Sequence, residues 1–160
     1  MKKLFALVLA VVMLVTMSVA VFAVDYETNP GDKETTVTYS VVPTYTVTIP
    51  TSITIDGEAD TISAENVVVA KGKYVSVTLA AENNFTVKTA EGATLDYTVT
   101  KGDQNIAAGG EILAVNPTNG KTGSASIVFD IDEAQIVYAG IYTGTATFTI
   151  SVKDVPVTND

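Results

Sequence analysis

From Val37 to Ile55 the odd-numbered positions read Val37, Tyr39, Val41, Pro43, Tyr45, Val47, Ile49, Thr51, Ile53 and Ile55, while the even positions are almost all Thr or Ser. Successive side chains of a strand point to opposite faces, so a sustained period of two means extended chain with one face turned to a core. Pro43 and Pro50 each lack a ladder donor, which divides the run into two or three pieces with at least one at a sheet edge. The pattern returns in Val75, Val77, Leu79; in Phe85, Val87; in Leu95, Tyr97, Val99; in Ala125, Ile127, Phe129, Ile131; and in Ala146, Phe148, Ile150, Val152. Turn chemistry separates these runs, at Asp56-Gly57, Lys71-Gly72-Lys73, Asn83-Asn84, Glu91-Gly92, Lys101-Gly102-Asp103, Gly109-Gly110 and Asn119-Gly120. Short strands about every ten residues with such turns are the pattern of an antiparallel sandwich or barrel. Asp132 to Val137 is the one helical turn the sequence suggests, too short to stand alone.

The chain opens with Lys2 and Lys3, an apolar run from Leu4 to Val15 and the small-residue close Val21-Phe22-Ala23, which predict a signal-peptide helix over residues 1–23 cut before Val24. A retained membrane anchor is the alternative, since Leu4 to Ala23 is long enough to span. Residues 24–34, polar and interrupted by Asn29-Pro30-Gly31, suit a flexible leader. A single all-β domain is expected over 35–154 and a C-terminal tail over 155–160. The tail carries neither an LPXTG signal nor a hydrophobic segment, so a free or non-covalently held extracellular protein is expected, with no stable membrane insertion after cleavage.

Charge and composition restrict the function classes. Nine lysines, no arginine and eighteen acidic residues give −9, and −11 once Lys2 and Lys3 leave with the signal. So acidic a surface repels phosphate backbones and anionic headgroups, which argues against nucleic-acid and peripheral membrane binding. The absence of His and Cys removes the usual zinc ligands, the serine–histidine and cysteine nucleophile systems and disulfides. No enzyme activity, cofactor or metal is therefore expected.

Tyr45-Thr46-Val47-Thr48-Ile49-Pro50 with Ile53-Thr54-Ile55, and Ala139-Gly140-Ile141-Tyr142-Thr143-Gly144-Thr145 running into Phe148-Thr149-Ile150, resemble the opening and closing strands of small secreted immunoglobulin-like surface proteins of Gram-positive bacteria. The layout is similar to that of WxL-type domains. The resemblance implies an immunoglobulin-like β-sandwich of about seven to nine strands and a place at the cell surface. WxL domains are thought to hold peptidoglycan through tryptophan motifs, and with no Trp in this chain that route does not carry over. Gly140 is expected to permit a tight turn, with Tyr142 laying its ring on the core edge and returning its hydroxyl to upstream backbone, as in a tyrosine corner.

Asp130, Asp132 and Glu133 could offer oxygen ligands to Ca²⁺, but the glycine-punctuated calcium loop is missing and solvated charges at a strand edge explain them better. Asp56, Glu58, Asp60 and Glu65 are expected on a loop, where nothing apolar suggests the burial a glycosidase acid requires. Tyr39, Tyr45 and Tyr97 sit on the apolar phase and are expected in the core; Tyr26 lies in the leader, and Tyr74 and Tyr138 fall where a ligand could reach. The Asn84-Phe85-Thr86 sequon is a chance match if the chain is bacterial, as the signal and the resemblance imply. An isopeptide bond from Lys73, Lys88 or Lys101 lacks an Asn or Asp acceptor between Tyr142 and Val152. The ranks Thr44, Thr46, Thr48 and Thr145, Thr147, Thr149 are ordinary strand composition rather than an ice-binding array.

These readings lead to a secreted, cell-surface structural or interaction protein contributing to a surface layer, fibre or matrix, with an extracellular protein or cell-wall polymer as partner and self-association through the N-terminal extended strand. A glycan- or peptide-binding module using loops at one end of the sandwich is the alternative.

Overall fold

The computed structural model describes residues 34–80 and 84–156. The expected signal helix (1–23), all but the last residue of the leader, and residues 157–160 of the tail lie outside the described residues.

Among the described residues nine strands form: β1 (Thr44–Thr48), β2 (Ala59–Val68), β3 (Lys73–Leu79), β4 (Thr86–Lys88), β5 (Thr94–Lys101), β6 (Gln104–Asn105), β7 (Glu111–Val115), β8 (Gly123–Ile131) and β9 (Phe148–Asp154). One sheet runs β1-β2-β8-β5-β4 with β6 beside β5, and a smaller one runs β7-β3-β9; every pairing is antiparallel. The sheets share one sandwich-like core. Ile62, Ala125, Ile127, Phe129, Tyr97 and Val99 of the larger sheet are buried with Val75, Val77, Leu79, Ile112 and Leu113 of the smaller. β1 stops between Pro43 and Pro50 at the edge of its sheet, where a missing N–H costs no ladder bond.

Two strands escape simple alternation. In β2 the pairing to β1 slips between Thr46↔Glu65 and Thr44↔Val68, and Asn66 adopts φ 54°. This is a bulge: two residues oppose one, and the buried phase jumps from Ile62 and Ala64 to Val67. Asn is among the residues that tolerate the left-handed region best. In β7 the pairing to β3 shifts between Val77 and Thr78, and the adjacent Ile112 and Leu113 are both buried. Asp60 and Glu65, expected on a loop, therefore belong to β2, an interior strand between β1 and β8.

The nineteen-residue periodic run is also corrected. Only Thr44–Thr48 within it is a strand. Tyr45, Ile49, Ile53 and Ile55 pack against the core, but Val37 and Tyr39 are each 89% exposed and Val41 61%. No residue from 34 to 42 has a ladder partner among the described residues. Tyr39 is therefore not a core residue, although its periodicity matches that of Tyr45.

The expected helical turn is present as a 3₁₀ turn over Glu133–Gln135, capped by Asp132, whose carboxylate accepts from Ala134 N at 3.0 Å. The segment after it carries the chain between the sheets. Lys88 and Thr143 exchange two backbone hydrogen bonds of 2.9 Å at the β4 edge, and the chain then enters β9 against β3.

Candidate functional site

The described acidic residues form no common site, although Asp56 stands near enough to Asp60 to act on its charge. Asp130 is the last residue but one of β8, an interior strand, so its charge does not guard a sheet edge as expected; its carboxylate accepts from Ile131 N at 2.9 Å. Asp132 is occupied as the turn cap and Glu133 lies in the exposed first turn. Among the described residues no three His, Cys, Asp or Glu stand together in a metal-holding group. Asp56 closes its own turn by accepting from Glu58 N at 3.0 Å. Asp60 and Glu65, five residues apart on one strand, are separated by ~17 Å at 3.3–3.4 Å per residue, beyond the ~5–9.5 Å of a glycosidase carboxylate pair.

Burial, and then the Asp56 charge, hold the Asp60 carboxyl above the usual aspartate range. A folded-state value above the unfolded one means that folding favours the protonated acid, so this group's stabilising contribution is full below the unfolded aspartate range and is lost as pH rises through the raised value. Asp60→Asn is expected to remove that loss: relative to wild type, its denaturation midpoint rises between pH 3 and pH 7. An unchanged difference at the two pH values would show that Asp60 is not perturbed.

The tyrosines divide into three settings. Tyr97 is buried with its ring 5.6 Å from those of Phe85 and Phe129, edge-on to the former, and burial raises its phenol above the ordinary value. Tyr45 is half-buried against the core. Tyr142 donates to the Tyr138 carbonyl at 2.9 Å, the upstream hydroxyl return expected of a tyrosine corner. Gly140 stands at a bend, and it also permits a close approach: a Cβ there would stand 2.9 Å from Thr89 Cγ2. Tyr26 is outside the described residues.

Tyr74 belongs to a polar cluster on the outer face of the smaller sheet. Its hydroxyl donates to Glu111 at 3.1 Å, the hydroxyl of fully buried Ser76 donates to the same carboxylate, and Lys153 Nζ lies 3.5 Å from it. Desolvation, then the bond to Glu111 and its charge, hold the Tyr74 phenol above its ordinary value, so it remains a donor at neutral pH. One carboxylate thus ties β3, β7 and β9 together. This cluster was not visible in the sequence because β7 has no clean alternation.

The remaining candidates are local. Lys73 pairs with Asp154 at 2.8 Å, with both side chains well exposed, so this is a solvated ion pair of small energetic weight. Asn84 accepts from Thr86, its Oδ1 from the amide at 3.4 Å and its carbonyl from the hydroxyl at 3.1 Å. The two threonine ranks lie on chain belonging to different sheets, at β1 and leading into β9, and form no common array.

What the fold does assemble is an apolar groove at one end of the sandwich. Ile53 and Ile55 cross that end, and beside them a concavity of about 520 Å³ is lined by Val87, Leu95, Ile131, Ile136, Tyr138 and Tyr142. Across Ile53 and Ile55 a second hollow of about 360 Å³ reaches Tyr97, Phe129 and Phe148. The wall over residues 136–141 is itself apolar and open, with Ile136 51%, Tyr138 65% and Ile141 84% exposed. Tyr74 lines a different concavity, with Asn116 and Pro156. The groove draws on residues from Ile53 to Gly144, so no local motif announces it. No protein-family model matches the chain, and no similar characterised protein is found.

Proposed function

We propose that this acidic sandwich, immunoglobulin-like in build as in the small surface proteins of Gram-positive bacteria, is a secreted or cell-surface structural protein that joins a surface layer, fibre or matrix by protein contact and carries out no catalysis. The observation that supports this reading most is the segment 35–42. It is uncharged, rich in Thr and Val, periodic in the manner of a strand, and has no strand to pair with among the described residues. A β-prone edge left open is a liability unless it is used, and an added strand supplies both main-chain hydrogen bonds and side-chain burial. The export-type N-terminus supports the extracellular placement. The partner is another extracellular protein, a cell-wall polymer or a further copy of the chain.

The test compares the exported chain with the double variant Val37→Asp, Tyr39→Asp for binding to cells and wall preparations and for self-association by sedimentation velocity. Wild type is expected to bind or to associate, and the double variant to lose this at an unchanged melting temperature. A wild type that stays monomeric at its solubility limit and binds neither cells nor wall overturns the reading. The exposed ring of Tyr138 beside the groove favours glycan or peptide binding as the second reading; retention on a polysaccharide that Tyr138→Ala abolishes would select it.

A further inference from the structure

We propose that the groove beside residues 136–142 receives the 35–42 segment of a second copy of this chain, so that copies join head to tail. The proposal rests on the reading of 35–42 as a contact segment and adds where that segment goes.

The two surfaces match in chemistry. Residues 35–42 carry no charge and set Val37, Tyr39 and Val41 on one side of an extended chain. None of the side chains lining the 520 Å³ groove is charged. The whole chain carries −9, so approach of two copies is opposed by like charge over most of the surface. Two uncharged apolar surfaces are where that opposition is smallest and where burial contributes most.

Strand register sets the direction. Thr44, into which the segment runs, is opposite Val68 at the far end of β2. Gly123 is opposite Ala64, and β8 then descends to Ile131, which lines the groove. Allowing for the bulge, the segment leaves the sandwich about eleven strand residues from the groove, or ~36 Å. The eight residues of the segment extend only ~26 Å. β1 and β4 are also opposite edges of the larger sheet, and the groove is on the β4 side. A copy therefore cannot lay this segment into its own groove, whereas another copy can. Because donor and acceptor lie at opposite ends, a contact made in one direction is heterologous and repeats into an open chain or a ring; a reciprocal two-fold exchange needs two copies side by side and antiparallel, where their like charges face each other along the whole length.

A mixing experiment decides the matter, using the exported chain in three forms: wild type, the donor variant Val37→Asp, Tyr39→Asp, and the acceptor variant Ile136→Asp, Tyr138→Asp. All four substituted side chains are more than half exposed, and matched melting temperatures check that the folds are kept. Tyr138→Asp alone repeats the acceptor arm if the double variant melts early. Sedimentation velocity is expected to show wild-type species larger than dimers that grow with concentration. Each variant alone should stay monomeric, its apparent dissociation constant raised about tenfold or more by the loss of apolar burial. Mixed, the two variants should form a one-to-one dimer and nothing larger, because each retains one half of the contact.

An acceptor variant that associates like wild type, while the donor variant does not, overturns the groove assignment and leaves the reading of 35–42 standing. A donor variant that associates like wild type overturns that reading. Wild type that stops at two copies, with no dimer in the mixture, overturns the head-to-tail direction, and monomeric wild type overturns self-association altogether.

Discussion

Ile127→Ala is expected to lower the unfolding free energy by about 3 kcal/mol, within the ~2–5 kcal/mol found when a buried branched side chain is cut to a methyl group. Ile127 is fully buried at the middle of β8, and β8 is paired on both sides, to β2 and to β5. Neighbours held in two ladders relax little into the space left behind, so the loss combines transfer free energy with a cavity. Domains of this size have only ~5–15 kcal/mol of stability in all. The melting temperature should fall by about 10 °C. The chain has no Trp, so the transition is best followed by far-ultraviolet circular dichroism in a denaturant series. A loss below about 1 kcal/mol with an unchanged denaturant slope would mean that the core closes around the gap and is looser than its burial indicates.

A larger effect is expected where charge enters the same core. Ile62→Asp should leave little folded protein, because an isolated carboxylate at a fully buried site must either stay charged without a partner or take up a proton at a cost of several kcal/mol. Tyr39→Asp is the comparison. That side chain is 89% exposed, so its stability change should stay within about 0.5 kcal/mol. Thermal melts of the two variants side by side provide the measurement. If Tyr39→Asp costs as much as a core substitution, residues 35–42 pack on the sandwich and cannot be a free contact segment.

The contrast between Tyr39 and Ile62 also shows how far the sequence could be read. Tyr39 lies in the longest alternating run of the chain and is exposed; Ile62 lies in a segment expected to be a loop and is wholly buried. β3, β5, β8 and β9 were legible because each keeps a strict period of two. β2 and β7 were not, because the bulge at Asn66 and the register shift opposite Val77 and Thr78 move the buried phase by one residue part-way along. A single inserted residue transfers the following side chains to the other face and cancels the pattern on which recognition depends.

The candidate site divides the same way. The tyrosine corner was legible because Tyr142 and Tyr138 are four residues apart and the contact is local. The acidic groups were legible as solvated charges, but not their positions: Asp130 was expected near a sheet edge and lies near the end of an interior strand instead. Neither the Glu111 cluster nor the apolar groove could be read, since each joins residues from distant parts of the chain through strand pairings that are not local.

By itself, the sequence determined the secondary-structure class, the turns between strands, the polar and apolar faces of the regular strands, and an acidic surface without histidine or cysteine chemistry. These are properties of a residue and its near neighbours: backbone preference, side-chain alternation and charge. The tertiary structure alone decided which apolar faces found a cover, how the strands divide between two sheets, and that the open segment and the open groove lie at opposite ends. Burial requires a second surface, and which surface arrives depends on pairings between segments tens of residues apart. Alternation shows that one face of a strand differs from the other; only the assembled sheets show what, if anything, lies against it.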